Sequence, residues 1–288
     1  MSMVSLQSRR RIETPSPPPR PPSALRLRVY SGFVGVPLVL GAIYLGVPTT
    51  AALVSLASVI AMFEFHRMTI RAGTTPIFFL GVTGVVLFIV ARVVEFNFLN
   101  MLITGTVLAP LYILLLTPPR ERFLADWAWT LAGVFFIGWT MSHAVLIRRL
   151  PDGRDWLFTG VILVFAIDSG AYIIGHLIGT HRMAPNISPG KTWEGAAAGV
   201  VFGIVASVSA CAAYGLPISS GQAALLGFLI SVISQMGGLA NSMLKRTAGV
   251  KDSGGLIPGH GGLLDRLDSL IPSVVVLYYF LTEGIGVK

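Results

Sequence analysis

The chain has 288 residues, 53% hydrophobic and only 12% charged, with a net charge of +8 and a mean hydropathy of +0.75. Soluble domains carry about 25% charged residues, so this composition excludes a soluble globule. A β-barrel is disfavoured too, because the apolar runs are continuous and near the ~20 residues a spanning helix needs. The expected fold class is therefore all-α, a polytopic membrane protein.

Residues 1–24 hold six prolines with several Ser and Arg, a composition expected to form a disordered tail. The segment is too polar for a signal peptide. Its Arg and Ser also fit an organelle transit peptide, but the proline density argues against the amphipathic helix such a peptide requires. Residues 1–28, with six Arg against Glu13, supply +5 of the net charge. A basic membrane face explains this excess better than nucleic-acid binding does, through positive-inside topology and anionic headgroups. Residues 25–288 read as a single transmembrane catalytic domain.

Nine candidate spans follow, at about 29–48, 50–66, 76–95, 97–117, 127–147, 156–178, 194–214, 221–243 and 269–287. Each is near bilayer length. With the N-terminus inside, the internal loops 67–75, 118–126, 179–193 and 244–268 are all basic, as the positive-inside rule expects. Loop 148–155 dissents: Arg148, Arg149 and Arg154 outweigh Asp152 and Asp155 on the opposite side. The N-terminus and the loops 179–193 and 244–268 are thus expected on the cytoplasmic side.

Few residues before the sixth span carry chemistry. Glu64 closes the second span, either as an interfacial anchor or as part of a site. Arg92 and Glu95 read as an interfacial pair, and Trp127, Trp129 and Trp139 as packing residues. In the sixth span Asp168 lies several residues inside an apolar run, and an intramembrane carboxylate is a functional candidate by default. The string PGKT at 189–192 is not a phosphate-binding P-loop, because Pro185 stands where that motif needs Gly. Lys191 and Thr192 still sit where a helix N-terminus presents free N–H groups to a phosphate. Gly195, Gly199 and Gly203 recur every four residues, a packing pattern. His176 and His181 lack a zinc spacing, and the lone Cys211 reads as a small buried hydrophobe.

The densest chemistry is SMLKRTAGVKDSGGLIPGHGGLLDRLD, residues 242–268. Its Lys and Arg suit phosphate oxygens. Gly261, Gly262 and their fellow glycines let backbone N–H groups approach an anion. Asp252, Asp265 and Asp268 are hard oxygen donors suited to Mg²⁺ when phosphates complete the shell. Asp265 and Asp268, three apart, share one face of a helical turn. Together they indicate a nucleotide–metal site at a membrane surface.

Thirteen positions here, Ser242, Lys245, Arg246, Lys251, Asp252, Pro258, Gly259, His260, Gly261, Gly262, Asp265, Arg266 and Asp268, resemble the signature of the phosphatidate cytidylyltransferases. The block D-[ST]-x-A-Y-x-x-G from Asp168, followed by Ser188, Pro189, Lys191, Thr192, Glu194 and Gly195, is similar to that family's second conserved block. The resemblance implies transfer of a cytidylyl group from CTP to phosphatidic acid, Mg²⁺ with a possible second cation, and a homodimer in the lipid bilayer. It implies Asp265 and Asp268 as metal ligands. Lys245, Arg246, Lys251 and Arg266 would face phosphates, and Asp252 would join the ligands or orient Lys251. His260 would donate to pyrophosphate or fix its turn. Ser188, Lys191 and Thr192 would form one wall of the site and Asp168 its floor. Gly238 departs from the family, which usually has Asp there, implicated in cation binding. Either Asp265 and Asp268, with Asp168 or water, suffice without it, or activity is weakened. A lipid or prenol kinase and a non-catalytic paralogue or transporter are the alternative readings.

Overall fold

A computed structural model describes residues 24–94, 99–118, 121–255 and 261–287. The helices are α1 (Ala24–Leu45), α2 (Val47–Arg71), α3 (Phe78–Val93), α4 (Leu99–Leu116), α5 (Phe123–Gly133), α6 (Thr140–Arg149), α7 (Gly153–Ile178), α8 (Trp193–Tyr214), α9 (Ser220–Thr247), α10 (Leu264–Leu267) and α11 (Leu270–Tyr279). A π-helical segment, Val134–Trp139, joins α5 to α6, and another, Phe280–Gly284, continues α11. Among the described residues six helical stretches are long and apolar enough to cross a membrane, and the apolar stretches Phe33–Leu45 and Phe78–Val93 are shorter. The chain is a polytopic helical membrane protein. The count of nine spans goes beyond these six.

Several boundaries move from those read in the sequence. The first break falls at Gly46, whose φ of 129° ends α1, and Pro48 sits in the first turn of α2, where a missing N–H costs nothing. Helix α2 then runs to Arg71, which puts Glu64 inside a helix, two turns from its end. Helix α9 opens on a reciprocal Ser219–Gln222 capping box. It closes at Gly249, φ 67°, with Gly249 N–H donating to Arg246 O and Val250 N–H to Lys245 O. Lys245 and Arg246, read in the sequence as loop residues, are therefore helical, as Ser242 is. The loop 179–193 holds a small antiparallel hairpin, β1 (Arg182–Ala184) and β2 (Ser188–Thr192), which the all-α expectation omitted.

Helices α7, α8 and α9 pack closely because small residues line their contacts. A Cβ on Gly195 would meet Ala171 O, one on Gly199 would meet Ala171 Cβ, and one on Gly203 would meet Ser231 Oγ. The four-residue glycine pattern is thus a packing seam. The basic loop that dissented from the charge pattern also has a structural role. Arg148 Nε donates to Ile43 O at 2.8 Å and Arg149 Nη1 to Arg92 O at 2.6 Å. These carbonyls lie at the C-terminal ends of α1 and α3, where helical partners run out. At the opposite end, Asp126 accepts from Thr75 N–H at 2.6 Å and from Thr75 Oγ1 at 2.9 Å, tying the α2–α3 turn to α5.

Candidate active site

At that second end the tips of α2, α7 and α9 and the beginnings of α8 and α11 meet. After Gly249 the chain folds back into the bundle. A Cβ on Gly237 would meet Asp268 O, so Asp268 lies beside a residue ten positions inside α9, a depth of about 15 Å. Non-helical backbone at such depth is tolerated only where protein surrounds it.

Glu64 makes this possible. Its carboxylate is buried and accepts from Leu263 N–H at 3.0 Å, Leu264 N–H at 2.9 Å and Ser253 Oγ at 3.0 Å. It supplies acceptors for the first N–H groups of α10, which would otherwise be orphaned. Gly254 and Gly262 have no room for a side chain because a Cβ on either would collide with Glu64. Of the two readings of Glu64, the structure places it against the signature loop.

Asp265, in α10, is the hub. Its Oδ1 accepts from Lys245 Nζ at 2.6 Å and Asn241 Nδ2 at 3.2 Å. Its Oδ2 accepts from Ser253 N–H at 2.9 Å, Ser253 Oγ at 3.0 Å and Gly262 N–H at 3.3 Å. Burial pushes this carboxyl up, but the Lys245 and Ser253 bonds outweigh it and hold Asp265 below the usual carboxylate range. Asp268 is less well served. Its Oδ1 accepts from Ser269 N–H at 2.7 Å, while among the described residues its Oδ2 has only Asn241 Nδ2, at 3.4 Å. Burial raises its affinity for a proton despite Asn241 and the nearby Lys191. Ser269 Oγ also lies 3.4 Å from Asp168 Oδ1, which brings the α7 carboxylate to the same place.

The opposite wall is the hairpin and α8. Asp168, Ser188, Lys191, Thr192, Tyr172 and Gln235 line a cavity of about 520 Å³. Lys191 Nζ donates to Gln235 O at 3.2 Å. Burial lowers its affinity for a proton, against the pull of Asp268 and Asp168. Thr192 is the N-cap of α8, its Oγ1 accepting Gly195 N–H at 3.2 Å, and it is buried in that task.

The remaining predicted residues fall into two groups. Ser242 Oγ returns to Gly238 O at 2.8 Å, within its own helix, and Arg246 Nε donates to Ile187 O, fastening the hairpin to α9. Lys251, Asp252 and Arg266 are exposed around the rim, and Gly261 takes a φ of 82° that favours glycine. His260 lies outside the described residues.

Two side chains were missed by the sequence reading, Asn241 and Ser253. Asn241 is wholly buried, and its Nδ2 reaches both Asp265 and Asp268 while its Oδ1 has no hydrogen-bond partner among the described residues. The signal was spacing: 238, 241 and 245 fall on one face of a helix, but only once α9 is known to continue to Thr247.

Among the described residues no three His, Cys, Asp or Glu side chains form a ready metal cage. The orphaned Asn241 Oδ1 beside two carboxylates nevertheless fits a hard cation, whose shell Mg²⁺ completes with phosphates and water. Asp265 is already saturated with donors, which leaves Asp268 Oδ2 and Asn241 Oδ1 as the available oxygens.

The model of the cytidylyltransferase family matches residues 26–283. Relatives named phosphatidate cytidylyltransferase include one from Mycobacterium bovis, 38% identical over 165 residues, covering 57% of this chain and 54% of that protein. One from Mycobacterium leprae is 40% identical over 168 residues, covering 57% and 53%. One from Brucella suis is 38% identical over 190 residues, covering 62% and 65%. The matches thus span between about half and two thirds of the length of these relatives.

Proposed function

Because the chain belongs to the cytidylyltransferase family, we propose that it transfers a cytidylyl group from CTP to phosphatidic acid, giving CDP-diacylglycerol and pyrophosphate. The observation that carries this reading is the convergence of Asp168, Lys191, Lys245, Asp265 and Asp268, from four separate segments, at one end of a membrane bundle. The relatives' names favour neither the kinase nor the transporter alternative.

The lipid's own phosphate supplies the attacking oxygen. The new P–O bond forms at the α-phosphorus of CTP while the bond to the β-phosphate breaks, and pyrophosphate leaves with the electron pair. This chemistry needs no Ser–His or Cys–His nucleophile; it needs positioning and charge neutralisation. Lys191 and Lys245 project into the site from opposite walls, and Arg246, Lys251 and Arg266 extend the positive charge to its rim. Asp265 holds Lys245 in place. Asp252 stands exposed at the rim, where it would join the metal ligands or orient Lys251. Mg²⁺ held by Asp268 Oδ2 and Asn241 Oδ1, with the Asp265 carboxylate beside them, would neutralise triphosphate charge. The acyl chains stay in the bilayer, the site faces the cytoplasm of a bacterial inner membrane, and the active form is a homodimer.

The test is transfer of label from α-³²P-CTP into lipid by purified protein given phosphatidic acid, with and without Mg²⁺. Mg²⁺-dependent label in the lipid fraction is expected. Folded protein that leaves all label in the aqueous phase would overturn the proposal.

A further inference from the structure

The glycine pair Gly237–Gly238 on α9 performs two different tasks. A Cβ on Gly237 would meet main-chain Asp268 O and, at 2.7 Å, the Pro272 ring, neither of which can yield cheaply. A Cβ on Gly238 would meet the tip of the Lys191 side chain and would lie 3.8 Å from Asp268 Oδ2. Gly237 is therefore a packing residue, whereas the space above Gly238 holds an ammonium group.

Lys191 reaches that space for identifiable reasons. Its backbone is fixed by the hairpin, one residue before Thr192 caps α8. Its side chain then crosses to α9, where Nζ finds the Gln235 carbonyl at 3.2 Å. The charged groups around it are Asp268 at the start of the last helix and Asp168 on α7, which attract it, and Lys245 on α9, which repels it. An ammonium this hemmed in by burial stays only if the bare backbone at 238 gives it room.

We propose that Gly238 is a positioning residue: its missing side chain seats the Lys191 ammonium on α9, fixing a positive charge beside Asp268 and Asp168 where substrate phosphates arrive. The inference rests on the transferase reading above, and it changes the meaning of Gly238. The glycine is a lysine seat, not a lost ligand, so an acidic residue there would displace or capture Lys191 and restore nothing.

The obstacle to a side chain at 238 is the end of a flexible chain, so Gly238→Ala should fold and move the ammonium. In CMP transfer, Gly238→Ala and Lys191→Ala are each expected to lower kcat/KM at least tenfold. If Gly238 acts through Lys191, adding Gly238→Ala to Lys191→Ala costs less than a further twofold; additive losses would overturn the proposal. A second readout is independent of turnover. Acylation of Lys191 by an N-hydroxysuccinimide ester, measured by peptide mass spectrometry against exposed Lys251, should rise at least threefold in Gly238→Ala, with an unchanged melting temperature. Unchanged labelling would sink the seat whether or not the protein transfers CMP. Changed labelling without transfer in any variant would uphold the seat and count against the transferase reading alone.

Discussion

The Glu64 carboxylate on α2 accepts the Leu264 N–H at 2.9 Å, joining positions 200 residues apart in the chain. That bond, with those from Leu263 and Ser253, fixes the height at which the signature loop enters the bundle. Replacing Glu64 by Ala leaves the Leu263 and Leu264 N–H groups without their acceptor, while Ser253 Oγ keeps Asp265, at about 1–3 kcal/mol for each group that water cannot reach. Glu64→Ala should lower the melting temperature in detergent and reduce CMP transfer more than tenfold. Glu64→Gln, which keeps one carbonyl oxygen, should fall between it and the parent in both measurements.

Asp265→Asn should abolish transfer while leaving a folded protein, judged by size-exclusion profile and circular dichroism. Substantial remaining activity would remove Asp265 from the site.

The same carboxylate sets a pH dependence of stability. Its folded affinity for protons is depressed, so its contribution is present above the unfolded value, near pH 4, and is lost as pH falls through the lower folded value. With a chelator present, the melting temperature of the parent should drop below about pH 4 more steeply than that of Asp265→Asn. Parallel curves would show that Lys245 and Ser253 do not hold the charged form.

Gly203→Ala should destabilise the bundle by about 1–3 kcal/mol, the usual cost of overpacking, because its Cβ would meet Ser231 Oγ and, at 2.8 Å, Ile167 Cγ1. Gly190→Ala, with nothing among the described residues within 4 Å of the added carbon, should change stability by less than about 0.5 kcal/mol. Denaturant titration of the two variants gives the comparison.

Arg149→Ala removes a donor from the carbonyls of Arg92 and Val93, at the end remote from the site. Loss of one such bond should cost about 1 kcal/mol and leave kcat for transfer unchanged. A large fall in kcat would mean that the two ends of the bundle are coupled.

The sequence revealed much of the fold and part of the site. Apolar run length placed the helices, and the mixture of Lys, Arg, Gly and Asp after Ser242 marked the signature loop, because both signals are local. What it concealed depends on contacts between distant segments. Asn241 looks like an ordinary polar residue until α9 brings it between Asp265 and Asp268. Glu64 could be read as an interfacial anchor until the loop folds back on it. Arg148 and Arg149 broke the charge pattern because their partners are carbonyls of α1 and α3, which no charge count detects. Gly238 was legible as a departure, but what occupies its space belongs to a hairpin nearly fifty residues earlier.

The brace at Glu64 also imposes a schedule on biosynthesis. Its partners at Ser253, Leu263 and Leu264 emerge about 190–200 residues later. At the usual ribosomal pace of roughly 5–20 residues per second, that is a wait of about 10–40 s. Throughout that interval α2 carries a carboxylate without its eventual donors. Until the C-terminal quarter is made, a growing chain is therefore marked by an unsatisfied acid, a feature by which a membrane quality-control protease could tell it from the finished protein.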